Sequence, residues 1–160
     1  MIYKKLKNQL PYLVLLFLLI GCKKDKTDDF APIENWTKSS TGISQSLNDL
    51  HFYNNQFGIV SGDFGTILKT TDGGSTWASL NSPTNQTFLA AFTLSEKDLF
   101  VARLGLFKSN NAGASFAEIG NTSSFGSSIR GIHFLDSLLG VITKWGSIYT
   151  TSDGGLNWTN

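Results

Sequence analysis

The sequence predicts an all-β chain built from repeated four-stranded units, and three observations carry that prediction. Sixteen glycines and 12% aromatic residues accompany only 16% charged residues in 160 positions. This composition suits short strands and tight turns and excludes a disordered chain or a coiled coil. Sustained helical periodicity is absent beyond the N-terminal segment. An eight-residue motif recurs at a nearly constant interval.

The first element is a signal peptide over residues 1–21. Lys4, Lys5 and Lys7 precede an apolar run from Leu10 to Ile20. The run is shorter than the roughly 20 residues that span a bilayer. We therefore expect an export signal rather than a transmembrane helix.

Residues 19–22, Leu-Ile-Gly-Cys, resemble the bacterial lipobox. The resemblance implies cleavage before Cys22, lipid on its sulfur and its new amino group, and stable membrane anchoring through these chains. The alternative is an ordinary secreted protein with an incidental cysteine. Residues 22–34 are then the lipidated cysteine and a flexible tether. In lipoprotein sorting an Asp after the cysteine favours the inner membrane, so Lys23 favours the outer membrane of the cell envelope. The alternative is that this polar segment carries no sorting signal.

The repeated motif occupies three places in residues 35–160. It reads TTDGGSTW at 70–77, SNNAGASF at 109–116 and TSDGGLNW at 151–158. The aromatic ends, counted from Trp36, are 41, 39 and 42 residues apart, which divides the chain at about 36–77, 78–116 and 117–158. Such a period is that of β-propeller blades. Within the first unit we expect strands at 47–53, 58–61, 66–71 and 77–80.

These motifs resemble the Asp box, or BNR repeat, of sialidases and related propellers. The longer unit, with its FGIVSG and GTILKTTDGG segments, is more specifically similar to the photosystem II assembly and stability factor propellers. The resemblance implies that the boxes lie on an outer rim, away from the binding face, and are structural. An Asp at position 72 or 153 can accept hydrogen bonds from its own turn. The box residues so assigned are Thr70, Asp72, Gly74, Trp77, Ser109, Asn111, Gly113, Phe116, Thr151, Asp153, Gly155 and Trp158.

The same resemblance implies a face that binds a protein segment, partly through arginines. Phe64 and Trp145 each precede a glycine at equivalent turns, and Arg103 and Arg130 are the arginines of the chain. Lys144 is a further cation near these turns. Inter-blade packing is the alternative role for the two aromatic side chains.

An enzyme is the competing hypothesis, as a fragment of a secreted, sialidase-like or other Asp-box glycosidase. Sialidase chemistry needs an arginine cluster, a tyrosine nucleophile and an acid, and two arginines are too few. The spacing of the acids selects no catalytic pair; these acids are Asp49, Asp63, Glu96, Asp98, Glu118 and Asp136. We therefore predict no catalytic residue and no cofactor.

Metal and nucleic acid are not expected ligands. One cysteine and two histidines make a structural zinc site improbable, and the net charge of +1 removes the electrostatic case for nucleic acid. His51 and His133 occupy equivalent positions in two units. They are either channel-facing residues with a shared role or simply inherited with the repeat.

Three units are fewer than the four or more that close a propeller. Either the sequence is part of a longer chain, or a head-to-tail homo-oligomer forms in which residues 36–40 complete the last blade of another copy. The function expected from these features is that of a cell-envelope lipoprotein with a membrane anchor and a protein partner. Its blades would act as a non-catalytic binding or assembly module.

Overall fold

The computed structural model describes residues 38–120 and 122–160. These residues form eleven β-strands and two 3₁₀ turns, at Asp63–Gly65 and Thr122–Phe125. They contain no helix long and apolar enough to cross a membrane. The strands are β1 (Leu47–Phe52), β2 (Gly58–Gly62), β3 (Ile67–Thr70), β4 (Ala78–Ser79), β5 (Ala90–Thr93), β6 (Leu99–Ala102), β7 (Leu106–Ser109), β8 (Ala117–Ile119), β9 (Ile129–Phe134), β10 (Gly140–Lys144) and β11 (Ser147–Thr151).

The strands form three antiparallel sheets in chain order. Blade 1 contains β1 to β4, blade 2 contains β5 to β8, and blade 3 contains β9 to β11. In blade 3 the place of a fourth strand is taken by Thr159, which bridges Thr150. The all-β prediction and its repeated sheets are confirmed, and the strands of blade 1 lie where the first unit predicted them. Each fourth strand follows the aromatic residue, so the sheets are offset from the aromatic-to-aromatic intervals.

Blade 2 is packed between the other two blades. Its strand β6 alternates between them: Leu99 and Val101 join the clusters with blade 1, whereas Phe100 joins the cluster with blade 3. This is the period of two that a sheet buried on both faces requires. The outward faces of the flanking blades expose Leu50 and Ile148. The three sheets of the described part do not close into a ring, which is consistent with an incomplete propeller.

Each blade has two ends, which carry different turns. At one end, the fourth residue of every box donates its backbone N–H to the turn between the first two strands of its sheet. The pairs, at N···O distances of 2.9 to 3.0 Å, are Gly73 with Gln56, Ala112 with Lys97 and Gly154 with Leu138. We call this the box end. The turns between β2 and β3, β6 and β7, and β10 and β11 lie at the opposite end, which we call the hairpin end.

Candidate functional site

The tips of the hairpin end present exposed apolar side chains in all three blades. Phe64 is 77% exposed and Trp145 is 79% exposed, and Leu104 occupies the equivalent tip of blade 2 at 43%. Each directly precedes a glycine. Sequence reasoning missed Leu104 because it searched for aromatic residues. Alignment of the three tip glycines would have found it.

Phe64 is held in an unfavourable backbone conformation. Its φ is 55°, in the left-handed region that bulky residues rarely adopt. The adjacent Gly65 anchors the tip, because its N–H donates to the carbonyl of Gln86 at 2.8 Å. A residue that is both strained and exposed contributes little to stability, and such positions cluster at functional sites.

Trp145 and Arg130 form a pair at the same end. The guanidinium of Arg130 lies 5.6 Å from the centroid of the Trp145 ring, a cation–π geometry. Gly131 and Ile129 pair with consecutive residues of β10, so Arg130 is the extra residue of a β-bulge. A bulge re-aims the side chain it carries, and here it directs Arg130 to the neighbouring tip.

Two further cations lie at the junction of blades 2 and 3. The Nε of Arg103 is buried and has no hydrogen-bond partner among the described residues. The backbone carbonyl of Arg103 accepts from the N–H of Ile129 at 2.5 Å. Lys144 is buried, its Nζ donates to the carbonyl of Thr122 at 3.5 Å, and burial lowers the pKa of its ammonium group. A buried donor without a partner is rare in folded proteins, and this one lies in the residue that follows β6, at the tip of blade 2.

Two acidic groups also lie near this end. Asp63, in the tip of blade 1, accepts from Nδ2 of Asn48 at 3.0 Å. A carboxylate oxygen of Glu118 lies close to Gly105. The tips of blades 1 and 2 therefore each have an acidic neighbour, whereas the cation Arg130 lies against Trp145 at the tip of blade 3.

The Asp-box side chains are used within their own turns. Asp72 accepts from the hydroxyl and the N–H of Thr76 at 2.6 and 2.9 Å and from the hydroxyl of Thr70 at 2.8 Å. These hydrogen bonds, first those from Thr76, lower the pKa of Asp72 to about 2. Asp153 makes the same bonds with Asn157 and Thr151, and its pKa is likewise lowered to about 2.

Asn111 closes the box of blade 2 with the same geometry. Its Oδ1 accepts from the N–H of Ser115 at 3.0 Å and from the hydroxyl of Ser109 at 2.8 Å. In all three boxes the first hydroxyl also accepts from the backbone N–H of the fifth residue, at 2.9 to 3.0 Å. These pairs are Thr70 with Gly74, Ser109 with Gly113 and Thr151 with Gly155.

The closing aromatic residues pack inward. Trp77 meets Phe52 edge-to-face at 6.2 Å between ring centroids, and Trp158 meets Phe134 in the same way at 6.1 Å. Phe116 packs against the clusters between blades 1 and 2. The boxes and their aromatic residues thus lie at the end opposite the exposed tips.

His51 and His133 lie on either side of Phe92, their equivalent in blade 2. The ring centroids are 4.3 Å apart for His51 and 5.2 Å apart for His133. The N–H of Thr93 donates to Nδ1 of His51 at 3.2 Å. Burial, followed by the neighbouring His133, lowers the pKa of His51, against a smaller opposite effect of Asp49.

Several acids that a glycosidase could use have structural partners instead. Asp49 accepts from the N–H of Ala91 at 2.8 Å, and Asp98 pairs with Lys108 at 3.6 Å. Asp136 accepts from two backbone N–H groups of its own turn. Within the described ranges no group of three or more His, Cys, Asp and Glu residues is placed to hold a metal. Cys22 lies outside the described residues.

Comparison with known sequences identifies relatives of one kind. A Nostoc sp. protein named photosystem II assembly lipoprotein Ycf48 is 36% identical over 81 residues, which is 50% of this chain and 23% of that protein. The protein of the same name from Prochlorococcus marinus is 28% identical over 157 residues, 91% of this chain and 46% of that protein. The chain therefore spans less than half the length of these curated relatives.

Comparison with solved structures finds the same fold. A structure described as YCF48 bound to D1 peptide has a TM-score of 0.64 and 23% identity, over 74% of this chain and 41% of that one. The GH74 enzyme of Niastella koreensis has a TM-score of 0.56 and 20% identity, over 71% of this chain and 22% of that one. At such identities the similarity shows the fold alone.

A family model settles the relationship. The model described as photosynthesis system II assembly factor YCF48 matches residues 29–160, which include every described blade. The resemblance seen in the box and tip sequences is thereby confirmed, and the chain belongs to the YCF48 assembly factor family.

Proposed function

We propose that this chain is part of a cell-envelope lipoprotein whose blades act as a non-catalytic protein-binding or assembly module. The hairpin end binds an extended protein segment. The observation that carries the proposal is the contact of Arg130 with the exposed ring of Trp145, beside Arg103, whose carbonyl accepts from the N–H of Ile129. Exposed aromatic and arginine side chains are the residue types that dominate binding energy at protein interfaces.

The chemistry of the site indicates what kind of segment it takes. Phe64, Leu104 and Trp145 offer apolar contact area, while Arg103 and Arg130 offer donors to carbonyl or carboxylate oxygens. A segment that has an apolar side chain next to carboxylate or main-chain carbonyl acceptors would match the apolar side chains and the arginine donors. The relative whose structure contains a D1 peptide supports a peptide as the ligand class. We propose a peptide as the ligand of this chain, but not the D1 peptide itself.

Membrane anchoring is the second part of the proposal. The lipobox ending in Cys22 supports it, and the curated relatives are named lipoproteins. Lys23 after the cysteine favours the outer membrane over the inner one. A head-to-tail homo-oligomer stays a prediction, and it carries a structural cost. The fourth-strand place of blade 3 is already entered by Thr159 of the same chain, so an incoming strand would have to displace that residue.

The relatives' names also bear on the enzyme hypothesis. They describe assembly lipoproteins rather than enzymes, which supports a chain without catalysis of its own. The GH74 structures share the fold at low identity. The carboxylates Asp49, Asp98 and Asp136 hold structural hydrogen bonds or ion pairs. A glycosidase fragment is therefore the weaker interpretation.

Peptide binding by paired variants tests the proposed face. Proteins captured by the full chain from envelope extract are identified and displayed as overlapping peptides, and the affinity of each hit is measured. We expect the Phe64→Ala, Trp145→Ala double variant to weaken binding by about tenfold or more. The Leu135→Ala, Leu156→Ala double variant removes two exposed apolar residues at the box end and should bind normally. Equal affinity of the Phe64/Trp145 variant and wild type would overturn the assignment of this face.

A further inference from the structure

The tips of the hairpin end differ in the charge that accompanies their apolar side chain. In blade 1, Asp63 directly precedes the exposed Phe64. In blade 3, the guanidinium of Arg130 lies 5.6 Å from the centroid of the Trp145 ring. We call Asp63 with Phe64 the acidic tip and Arg130 with Trp145 the basic tip. The hairpin end therefore presents one exposed aromatic side chain beside a negative charge and another beside a positive charge.

Neither charge is neutralised within the part of the chain that the structure describes. The Asp63 carboxylate contacts a neutral amide there, because Nδ2 of Asn48 donates to its Oδ1 at 3.0 Å. Arg130 is exposed, and over the described ranges no carboxylate lies within ion-pair distance of its guanidinium. Each tip therefore offers a whole charge to a bound partner.

Hydrogen bonds hold the acidic tip in place before any partner binds. The N–H of Asp63 donates to the carbonyl of Ser46 at 2.9 Å. Asn48 links the tip to the approach of blade 2, because its Nδ2 also donates to the carbonyl of Phe88 at 2.9 Å. The carboxylate and the neighbouring Phe64 thus project from a fixed turn. A fixed turn loses little conformational freedom on binding, which favours affinity.

A tip stays exposed when described blades flank it on both sides, as blade 2 shows. Leu104 is 43% exposed at the tip of that blade. The nearby side chains of Arg103 and Glu118 have opposite charges, so blade 2 adds no net charge between the acidic and basic tips. The acidic tip itself leans on the segment that leads into blade 2, where a Cβ on Gly65 would collide with the carbonyl oxygen of Thr84.

A carboxylate beside an exposed aromatic ring has the chemistry to bind a cationic side chain. An ammonium or guanidinium group pairs with the carboxylate and lies against the face of the ring, so the same cation gains from both contacts. At the basic tip, the guanidinium of Arg130 donates to carboxylate or carbonyl oxygens. A polypeptide segment can contact both tips at once, whereas a small ion can occupy only one of them.

We propose that the acidic tip is a subsite for a lysine or arginine side chain of the bound protein segment. This subsite rests on the proposed function of the hairpin end and adds the charge pattern of the ligand. The segment has a basic residue at the acidic tip, an apolar residue near Leu104 and an acidic residue at the basic tip. Because the two tips differ in the sign of their charge, such a segment docks in one direction, and a segment that is acidic at both ends is disfavoured.

An array of synthetic peptides tests the subsite. Each peptide has a fixed apolar centre, with lysine, glutamine or glutamate at the flanking positions on either side, and its affinity for the full chain is measured. We expect peptides with lysine on one particular side and glutamate on the other to bind about fivefold more tightly than peptides with glutamate on both sides. Exchanging the two flanks should remove this advantage, because like charges would then meet at both tips.

Variants of one residue assign the preference to the acidic tip. Asp63→Asn removes the charge and keeps an oxygen for Nδ2 of Asn48, so the lysine preference should disappear while stability in urea is retained. Asp63→Lys should reverse the preference in favour of glutamate. The matched control is Glu96→Lys, which reverses the charge of an exposed residue at the box end. That variant should keep the wild-type preference.

The outcomes separate this subsite from the function on which it depends. If peptides bind and Trp145→Ala weakens them, but lysine is not preferred or stays preferred in the Asp63→Asn variant, the cationic subsite is wrong and the binding face stands. An equal preference for lysine on both sides of the apolar centre would contradict docking in one direction. Loss of the preference in the Glu96→Lys variant would assign it to net charge instead. If no peptide of the array binds, the subsite and the proposed binding face are both refuted.

Discussion

Blade 2 packs against both neighbours through apolar clusters, but the side chains that meet its first strand differ in chemistry on the two sides, although the blades share one sequence repeat. Against blade 1, side chains of β1 reach the free edge of β5. Asp49 accepts from the N–H of Ala91 at 2.8 Å, and His51 accepts from the N–H of Thr93 at 3.2 Å. We call this the polar seam. These side chains supply acceptors for the N–H groups of Ala91 and Thr93 on the edge of β5 that has no neighbouring strand.

Against blade 3 the contact is aromatic. Phe100 stacks on Phe134 with centroids 4.4 Å apart and an interplanar angle of 19°, and Phe92 packs nearby. We call this the aromatic seam. The blade 2 equivalents of Asp49 and His51 are Ala90 and Phe92, neither of which can accept from β9. Equivalent positions of the repeat therefore face the next blade in each case. The side chain at the position determines whether the contact is a hydrogen bond or an aromatic contact.

The largest expected effect is in the aromatic seam. Phe100 is fully buried, so Phe100→Ala leaves a cavity between two blades and should lower the free energy of unfolding by about 3–5 kcal/mol. Chemical denaturation measures the loss. Phe64→Ala removes the same atoms from an exposed position and should change stability by no more than about 0.5 kcal/mol. Similar losses in both variants would show that the aromatic seam does not hold the blades.

The polar seam should respond less strongly. Asp49→Ala leaves the buried-edge N–H of Ala91 without its acceptor, at a cost of about 1–3 kcal/mol. Asp49→Asn keeps a carbonyl oxygen at the same place and should recover part of that loss, because Asn has an acceptor of the same reach. Equilibrium urea titrations of both variants provide the comparison. An Asn variant as unstable as the Ala variant would mean that charge rather than the hydrogen bond matters here.

The smallest effect is a dependence on pH confined to the polar seam. The pKa of His51 lies below its ordinary value of 6.5 in the folded chain, so the unfolded chain binds the proton more readily. The stability that neutral His51 contributes is therefore complete above about pH 6.5 and decreases as the pH falls below it. His51→Phe places the blade 2 residue in blade 1 and should remove this decrease. Thermal denaturation between pH 7 and pH 5 gives the test, and parallel curves for the two proteins would contradict it.

Much of the fold follows from local sequence. The box places a carboxylate or amide, a hydroxyl and glycines within eight residues, so its turn forms from groups that are neighbours along the chain. The strands between boxes follow from alternation and turn residues for the same reason. Phe64 and Trp145 were also predictable, because a glycine marks each tip.

Other features depend on contacts between distant residues. Arg130 and Trp145 are fifteen positions apart, and the bulge in β9 that brings them together leaves no mark in the sequence pattern. The burial of the Nε of Arg103 without a hydrogen-bond partner is likewise set by the packing around it. The turn that carries Leu138 and the box that carries Leu156 are joined by a hydrogen bond between residues sixteen positions apart, Leu138 and Gly154.

The sequence by itself determined the repeat, the all-β class, the family and the chemistry of each box, because these depend on residues a few positions apart. The tertiary structure decided which side of each strand meets a neighbouring blade and which end of the blades carries the exposed tips. It also placed Ser39 beside Gly74 in the box of blade 1. Side-chain burial and the meeting of separate turns depend on how sheets stack, and stacking is a property of contacts about forty residues apart. For this reason the two seams differ in chemistry although their sequences derive from one repeat.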